Sequence, residues 1–83
     1  MMIGKIQESF SFTSKNGKCW TKIKMTDGIF EAEVMMSTSI YEGLKGKTLK
    51  EGNIVVLPVT VSETEMLFLG NIDKYEIKVL EQN

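Results

Sequence analysis

Histidine is absent from this sequence of 83 residues, and cysteine occurs once, at Cys19. The most common general base and metal ligand of proteins is therefore missing. No Ser-His or Cys-His nucleophile pair can form, an internal disulfide is impossible, and metal sites built from cysteine and histidine are excluded. We therefore predict a protein that binds a partner, is not an enzyme, and uses no metal or cofactor.

Arginine is also absent, so all ten positive charges are lysines. Lysine lacks the bidentate fork of arginine, and nucleic-acid contacts made by lysines favour backbone phosphates over base edges. Five lysines and one acid lie in residues 1–25, whereas residues 51–83 carry six acids and two lysines. An anionic partner is expected to meet the basic N-terminal part, although the net charge of −1 argues against nucleic acid.

Long hydrophobic runs are absent too: no segment reaches membrane-spanning length, and the N-terminus lacks the apolar stretch of a signal peptide. We expect a cytoplasmic protein, in the host cytoplasm if a phage encodes it, without membrane contact. The length fits one OB-like domain, residues 1–83, that buries a little over about 60% of its unfolded surface. A domain with so small a core is expected to form a homodimer or higher homo-oligomer.

Two turn signals, Asn16-Gly17 and Asp27-Gly28, predict an antiparallel meander of strands near residues 3–14, 18–26 and 29–36. If each signal forms a two-residue loop, the two hairpins independently assign the same residues of the middle strand to the core face. The predicted core face carries Ile6, Phe10, Phe12, Cys19, Thr21, Ile23, Met25, Phe30, Ala32, Val34 and Met36. The predicted outer face pairs Trp20 with Thr13 and Met35, Lys22 with Glu33, and Lys24 with Glu31.

The second half of the sequence predicts a short helix and two more strands. Ser39 and Glu42 have capping-box spacing within residues 37–44, which indicates a helix of one or two turns. Residues 54–61 form an apolar run interrupted only by Pro58, which marks an edge or a bulge. The order predicts an all-β fold, a five-stranded OB-type Greek-key barrel with one short helix between strands 3 and 4; an SH3-like barrel is the alternative.

Short motifs resemble the filamentous-phage single-stranded-DNA-binding proteins: Gly17-Lys18-Cys19-Trp20, the Asp27-Gly28 turn, Leu67–Leu69 and Ile72–Ile77. The resemblance implies an OB-fold dimer that coats replicating DNA cooperatively. By position, Lys18 matches a Gly-Lys-Pro-aromatic stretch of that family, with Cys19 in place of the proline, and Trp20 matches its base-stacking aromatic residue. Acidic residues stand where the family's wing carries arginines.

The candidate nucleic-acid-binding residues are Lys15, Lys18, Trp20, Lys22 and Lys24. Trp20 would stack on a base while the lysines contact phosphates of single-stranded DNA or RNA without sequence preference. The alternative is that Trp20 packs against the protein or a dimer partner, and that Lys22 and Lys24 pair with acids across the sheet.

A second hypothesis for the function is a small OB-fold protein-interaction or oligomerisation module without nucleic-acid binding. Such a module would use the acidic second half and the apolar strand at residues 54–61. Oligosaccharide binding is another use of the OB fold.

Overall fold

One curled sheet and one short helix make up the structure, a computed structural model that describes residues 1–83. The elements are β1 (Met2–Thr13), β2 (Cys19–Thr26), β3 (Glu31–Ser37), α1 (Thr38–Leu44), β4 (Ile54–Leu57), β5 (Val59–Val61), β6 (Leu67–Leu69) and β7 (Lys78–Glu81). The strands form a single sheet in the order β5-β6-β3-β2-β1-β4-β7, in which only the β3–β6 pair is parallel. The predicted mostly-β fold with a short helix between the third and fourth strands is confirmed.

Pro58 divides the predicted strand over residues 54–61 into β4 and β5. β4 pairs with β1 and β7, whereas β5 pairs with β6 at the other end of the strand order. Proline has no N–H to donate, so a continuous ladder is interrupted at this position. Pro58 alone connects β4, near one end of the strand order, to β5 at the other end, so the sheet curls into a half-barrel. The sheet has seven strands where five were predicted.

The first hairpin has the three-residue loop Lys15–Gly17, and the predicted two-residue loop is wrong. The Ser14 N–H donates to the Lys18 carbonyl at 2.8 Å, and the Gly17 N–H donates to the Ser14 carbonyl at 3.0 Å. Gly17 has a φ of 84°, in the left-handed region that favours glycine. This is a type I turn followed by a left-handed residue, a common three-residue hairpin loop.

The longer loop shifts the register of β1 against β2 by one residue. Phe12 therefore lies opposite Trp20, and Phe10 lies opposite Lys22. The prediction that Phe10 and Phe12 belong to the core is wrong, because both lie on the outer face and are exposed. Cys19, predicted to be a buried residue, is exposed at the start of β2.

An extra residue in β1, Gln7, restores the predicted faces toward the N-terminus. Ile6 lies opposite Met25 while Glu8 lies opposite Lys24, so the register shifts between the two pairs. Such a β-bulge places two residues of one strand against one of its neighbour. Ile6 and Met25 are buried, as predicted.

The second hairpin closes through the side chain of Asp27. Its Oδ1 accepts hydrogen bonds from the N–H groups of Phe30 at 2.8 Å and Ile29 at 2.9 Å, and these lower the pKa of the Asp27 carboxyl. The register differs from the predicted one by two residues, which preserves the faces, so that Val34 is buried as predicted. Phe30 was predicted to lie in the core, but it is 75% exposed in the loop.

The core lies on the inner face of the sheet. Its buried side chains are Ile6, Ile23, Met25, Val34, Met36, Leu49, Val55 and Leu57. Full burial of one such side chain stabilises the fold by about 1.5–3 kcal/mol. Leu49 comes from the segment between α1 and β4, so this segment closes part of the half-barrel.

Hydroxyl groups occupy the inner face where the predicted register placed phenylalanines. Ser11 Oγ lies 2.8 Å from Thr21 Oγ1, which lies 3.0 Å from Thr38 Oγ1 in α1. Ser9 Oγ lies 2.6 Å from the hydroxyl of Tyr41, also in α1. These hydrogen bonds attach the helix to β1 and β2.

Helix α1 begins after Ser37, and the predicted capping box is wrong. Ser37 makes no side-chain capping hydrogen bond, and Glu42 forms an ion pair with Lys45 at 2.6 Å. α1 has only seven residues. The structure contains no helix with the length and apolar character that a membrane span requires.

Asn53 is a buried polar residue, 1% exposed, that joins distant parts of the chain. Its Nδ2 donates to the carbonyls of Lys47 at 2.9 Å and Thr48 at 3.4 Å, and its Oδ1 accepts from the Asn83 N–H at 2.9 Å. Its backbone carbonyl accepts from the Ile6 N–H at 2.9 Å. Asn53 therefore positions the start of β4 against the middle of β1.

We expect Asn53→Ala to lower the free energy of unfolding by about 2–3 kcal/mol, because the backbone groups of Lys47, Thr48 and Asn83 lose the buried side chain that joins them. Urea unfolding of both proteins measures the difference. Asn71→Ala is the control, because the Asn71 side chain also accepts backbone hydrogen bonds but is exposed. It is expected to cost less than about 1 kcal/mol. Equal losses in the two variants would contradict a special role of Asn53.

Candidate nucleic-acid interface

Three aromatic rings and one lysine share the outer face of β1 and β2. Phe12 pairs with Trp20, and Phe10 pairs with Lys22. Phe10 is 46% exposed and Phe12 is 36% exposed. Lys22 Nζ lies 5.4 Å from the centroid of the Phe10 ring and 5.7 Å from that of Phe12, within cation–π range. We call these four residues, Phe10, Phe12, Trp20 and Lys22, the aromatic surface.

Trp20 is half-buried because Phe68 of β6 packs against it. The ring centroids are 5.9 Å apart at an interplanar angle of 72°, an edge-to-face contact. The predicted pairing of Trp20 with Met35 is wrong, since Met35 lies between Lys22 and Phe68 in the sheet. Phe68 thus holds Trp20 in place while part of the indole stays accessible beside Phe12.

Three of the four predicted phosphate-binding lysines have no acidic partner. Lys15 and Lys18 are exposed at the first loop, and neither forms an ion pair. The two-residue loop would place Lys15 opposite Lys18, but the Lys18 carbonyl accepts a hydrogen bond from the Ser14 N–H, so the two lysines are not paired. Lys22 lies opposite Met35, and its predicted pairing with Glu33 is also wrong. These three lysines are available to an anion at one end of the β1–β2 hairpin.

Lys24 is the fourth predicted lysine, and it forms an ion pair. Its Nζ lies 3.3 Å from Glu8 Oε1, whereas the residue opposite it on β3 is Glu33 and not the predicted Glu31. The hydrogen bond to Glu8, and then the charge of Glu31, raise the pKa of Lys24 above its ordinary value. A raised pKa means that the pair contributes stability at neutral pH and loses it as the pH rises through that pKa.

Phe10, Phe12 and Phe68 are part of this site, but sequence analysis did not assign them to it. The signal that identifies the first two is the segment Ser14–Gly17, since serine at the first position and glycine at the fourth are typical of a type I turn. That turn, in place of a two-residue loop, moves both rings to the outer face. Phe68 reaches the site through the parallel pairing of β6 with β3, which has no local signal.

No group of three or more cysteine or carboxylate side chains is placed to hold a metal ion. No protein-family model matches the sequence, and no curated protein matches it. The function must therefore be inferred from the geometry of the side chains.

We expect Glu8→Gln to lower the pKa of Lys24 toward its ordinary value, because the hydrogen bond to the Glu8 carboxylate is the largest cause of its elevation. A pH titration of the Lys24 side-chain NMR resonances measures this change. Glu63→Gln removes an acid that is not among the causes of the shift and should leave the titration unaltered. If Glu8→Gln also leaves it unaltered, the acids of β3 dominate instead.

Proposed function

We propose that this protein binds single-stranded nucleic acid on the aromatic surface. The observation that carries the proposal is the exposure of Phe10 and Phe12 beside Trp20, next to lysines that have no acidic partner. Sequence-tolerant binding of single strands combines base stacking on aromatic side chains with cations that follow the backbone. The outer face of β1 and β2 offers both within one hairpin.

Base stacking on this surface changes the position of Lys22. A base that stacks on Phe10 or Phe12 takes the place of the ammonium group, which then turns to a neighbouring phosphate. Lys15 and Lys18 extend the positive charge beyond the rings at the hairpin loop. Each stacked base contributes about 1–3 kcal/mol. Lys24 contributes least, since Glu8 already neutralises it.

An OB-type barrel is the finer fold that we propose, and the strand pairing supports it. If β4 and β5 are counted as one strand bent at Pro58, that strand has β1 on one side and β6 on the other. Because β6 also pairs with β3, five strands then close a ring. OB folds bind oligonucleotides on strands 2 and 3 and on the loop between strands 1 and 2. Trp20, Lys22 and the loop lysines occupy those positions.

Coating of replicating single-stranded DNA is the process that we propose, because the motifs resemble filamentous-phage proteins with that role. The segment Gly17–Trp20, which carries part of the resemblance, runs from the loop into the aromatic surface. RNA is the alternative ligand, because stacking and phosphate contacts do not separate the two. Comparison of oligo-dT with oligo-U distinguishes them.

We propose in addition that the protein forms at least a homodimer through the outer face of β1 and β4. Ile54 and Val56 are only half-buried on this side of the sheet. Ile3, the residue opposite Val56, is 56% exposed. Lys5, opposite Ile54, is the one charge among these apolar side chains. Exposed apolar side chains that form a strip are typical of an interface.

A protein-interaction module is the second candidate function, and the tip of the second hairpin favours it. Ile29 is 82% exposed and Phe30 is 75% exposed. They lie at the opposite end of β2 from the first loop. Exposed apolar side chains of this size indicate a protein partner.

We expect oligo-dT to quench the fluorescence of Trp20, and Phe12→Ala to weaken binding by about 1–3 kcal/mol through the loss of one stacked base. Titration at low salt measures both effects. Phe30→Ala removes a more exposed ring from the other end of β2 and should leave the affinity unchanged. Both variants should remain folded, although Phe12→Ala also loses the contact of its ring with Lys22.

The same titration, repeated at increasing salt concentration, measures the contribution of the phosphate contacts to oligo-dT binding. The logarithm of the binding constant falls with the logarithm of the salt concentration with a slope of about −0.7 per phosphate contacted, so three available lysines predict a total slope of about −2. An absence of quenching at low salt would contradict nucleic-acid binding and favour the interaction module.

We expect sedimentation at micromolar concentration to detect a species of at least twice the 9.4 kDa chain mass. Ile3→Lys should shift it to the monomer, because a second charge beside Lys5, at the most exposed apolar position of the strip, opposes its burial. The control is Ile40→Lys, which changes an isoleucine that is 40% exposed on α1. A monomeric parent protein would contradict the proposed dimer.

A further inference from the structure

A cavity of about 270 Å³ opens beside the aromatic surface, between β3 and the loop that joins β5 to β6. Met35, Met66 and Leu67 contribute apolar walls, and Lys22, Glu33 and Glu65 contribute charged groups. Pockets for small molecules have volumes of about 300–1,000 Å³, so this cavity suits a single planar ring system and not a larger ligand.

The loop between β5 and β6 places Glu65 at this cavity. The Ser62 N–H donates to the Met66 carbonyl at 2.9 Å, the Met66 N–H donates to Ser62 Oγ at 3.1 Å, and the Glu65 N–H donates to the Ser62 carbonyl at 2.9 Å. Across from it, β6 pairs with β3 only at Val34 and Met35. On the edge of β3 that faces β6, the residues before Val34 have no partner strand, and the cavity lies in this gap.

The two carboxylates of the cavity have no ion-pair partner. Lys24 lies opposite Glu33 in the sheet, but it is bonded to Glu8. An ionised carboxylate is an acceptor of hydrogen bonds only, so it attracts N–H donors and repels phosphate. Within a bound nucleic acid, a base whose edge donates hydrogen bonds therefore suits a cavity that Glu33 and Glu65 line.

We propose that this cavity takes one base of the bound strand and prefers a base with an exocyclic amino group to thymine; the inference rests on the proposed function. Cytosine presents the N4 amino group as a donor, whereas thymine presents the O4 carbonyl at the same place. The edges of unpaired bases are free for such contacts. Because Lys22 belongs to both the aromatic surface and the cavity, a strand stacked on the first brings a neighbouring base to the second.

The test compares the binding of oligo-dC and oligo-dT of equal length to the full chain at low salt. We expect oligo-dC to bind about fivefold more tightly, at the lower end of the discrimination that a base contact provides. In the double variant Glu33→Gln/Glu65→Gln the ratio should fall to about one, since a glutamine amide both donates and accepts. The matched control is Glu31→Gln/Glu63→Gln. It removes the same two charges, one from β3 and one from the loop between β5 and β6, but neither residue lines the cavity. It should keep the ratio of the oligo-dC and oligo-dT affinities.

The outcomes separate this inference from the proposed function. Equal affinity of the parent protein for both oligonucleotides overturns the base preference and leaves single-strand binding in place. A ratio that falls equally in the control variant also overturns it, because net charge would then be the cause. Binding of neither oligonucleotide overturns the proposed function and this inference together.

Discussion

The register of β1 is the constraint on which both faces of the sheet depend. A three-residue loop moves the end of β1 by one position, and the extra residue Gln7 moves it back before Ile6. One strand therefore presents Ile6 to the core and Phe10 and Phe12 to the outside. In a regular strand Ile6, Phe10 and Phe12 would share one face, because side chains two residues apart point to the same side. Without the bulge, either Ile6 would leave the core or the two phenylalanines would enter it.

Behind the aromatic surface, the inner face of the sheet carries hydroxyl groups that are hydrogen-bonded to one another. Ser9 and Ser11 of β1 bond to Tyr41 and Thr21, and Thr21 continues to α1. Thr21 is fully buried, and its hydroxyl group is tolerated there because it has two hydrogen-bond partners. Hydrogen bonds are directional, so these contacts help to set the position of the helix against the first hairpin.

Local sequence predicted the class of fold, the three-stranded meander and the short helix, since these depend on alternation and on turn residues. It also predicted that Trp20, Lys22 and Lys24 share a face, because residues two apart on a strand must do so. It did not predict which side chains of β1 join them, since one loop residue reverses the faces of a whole strand. The ion pair between Glu8 and Lys24 follows from the same loop register. The contact of Phe68 with Trp20 depends on the parallel pairing of β6 with β3, which short patterns do not encode.

The two neighbours of β1 have a consequence for the order in which the chain can fold. From Lys5 onward β1 pairs with β2, its close neighbour in sequence, whereas on its other edge Met2–Lys5 pair with Ile54–Leu57, more than half the chain away. Pairings of this non-local kind slow folding to milliseconds or longer. During synthesis the first hairpin can form early, while the start of β1 waits as an unpaired edge that other chains can join. Lys5, a charge within that waiting edge, opposes such association.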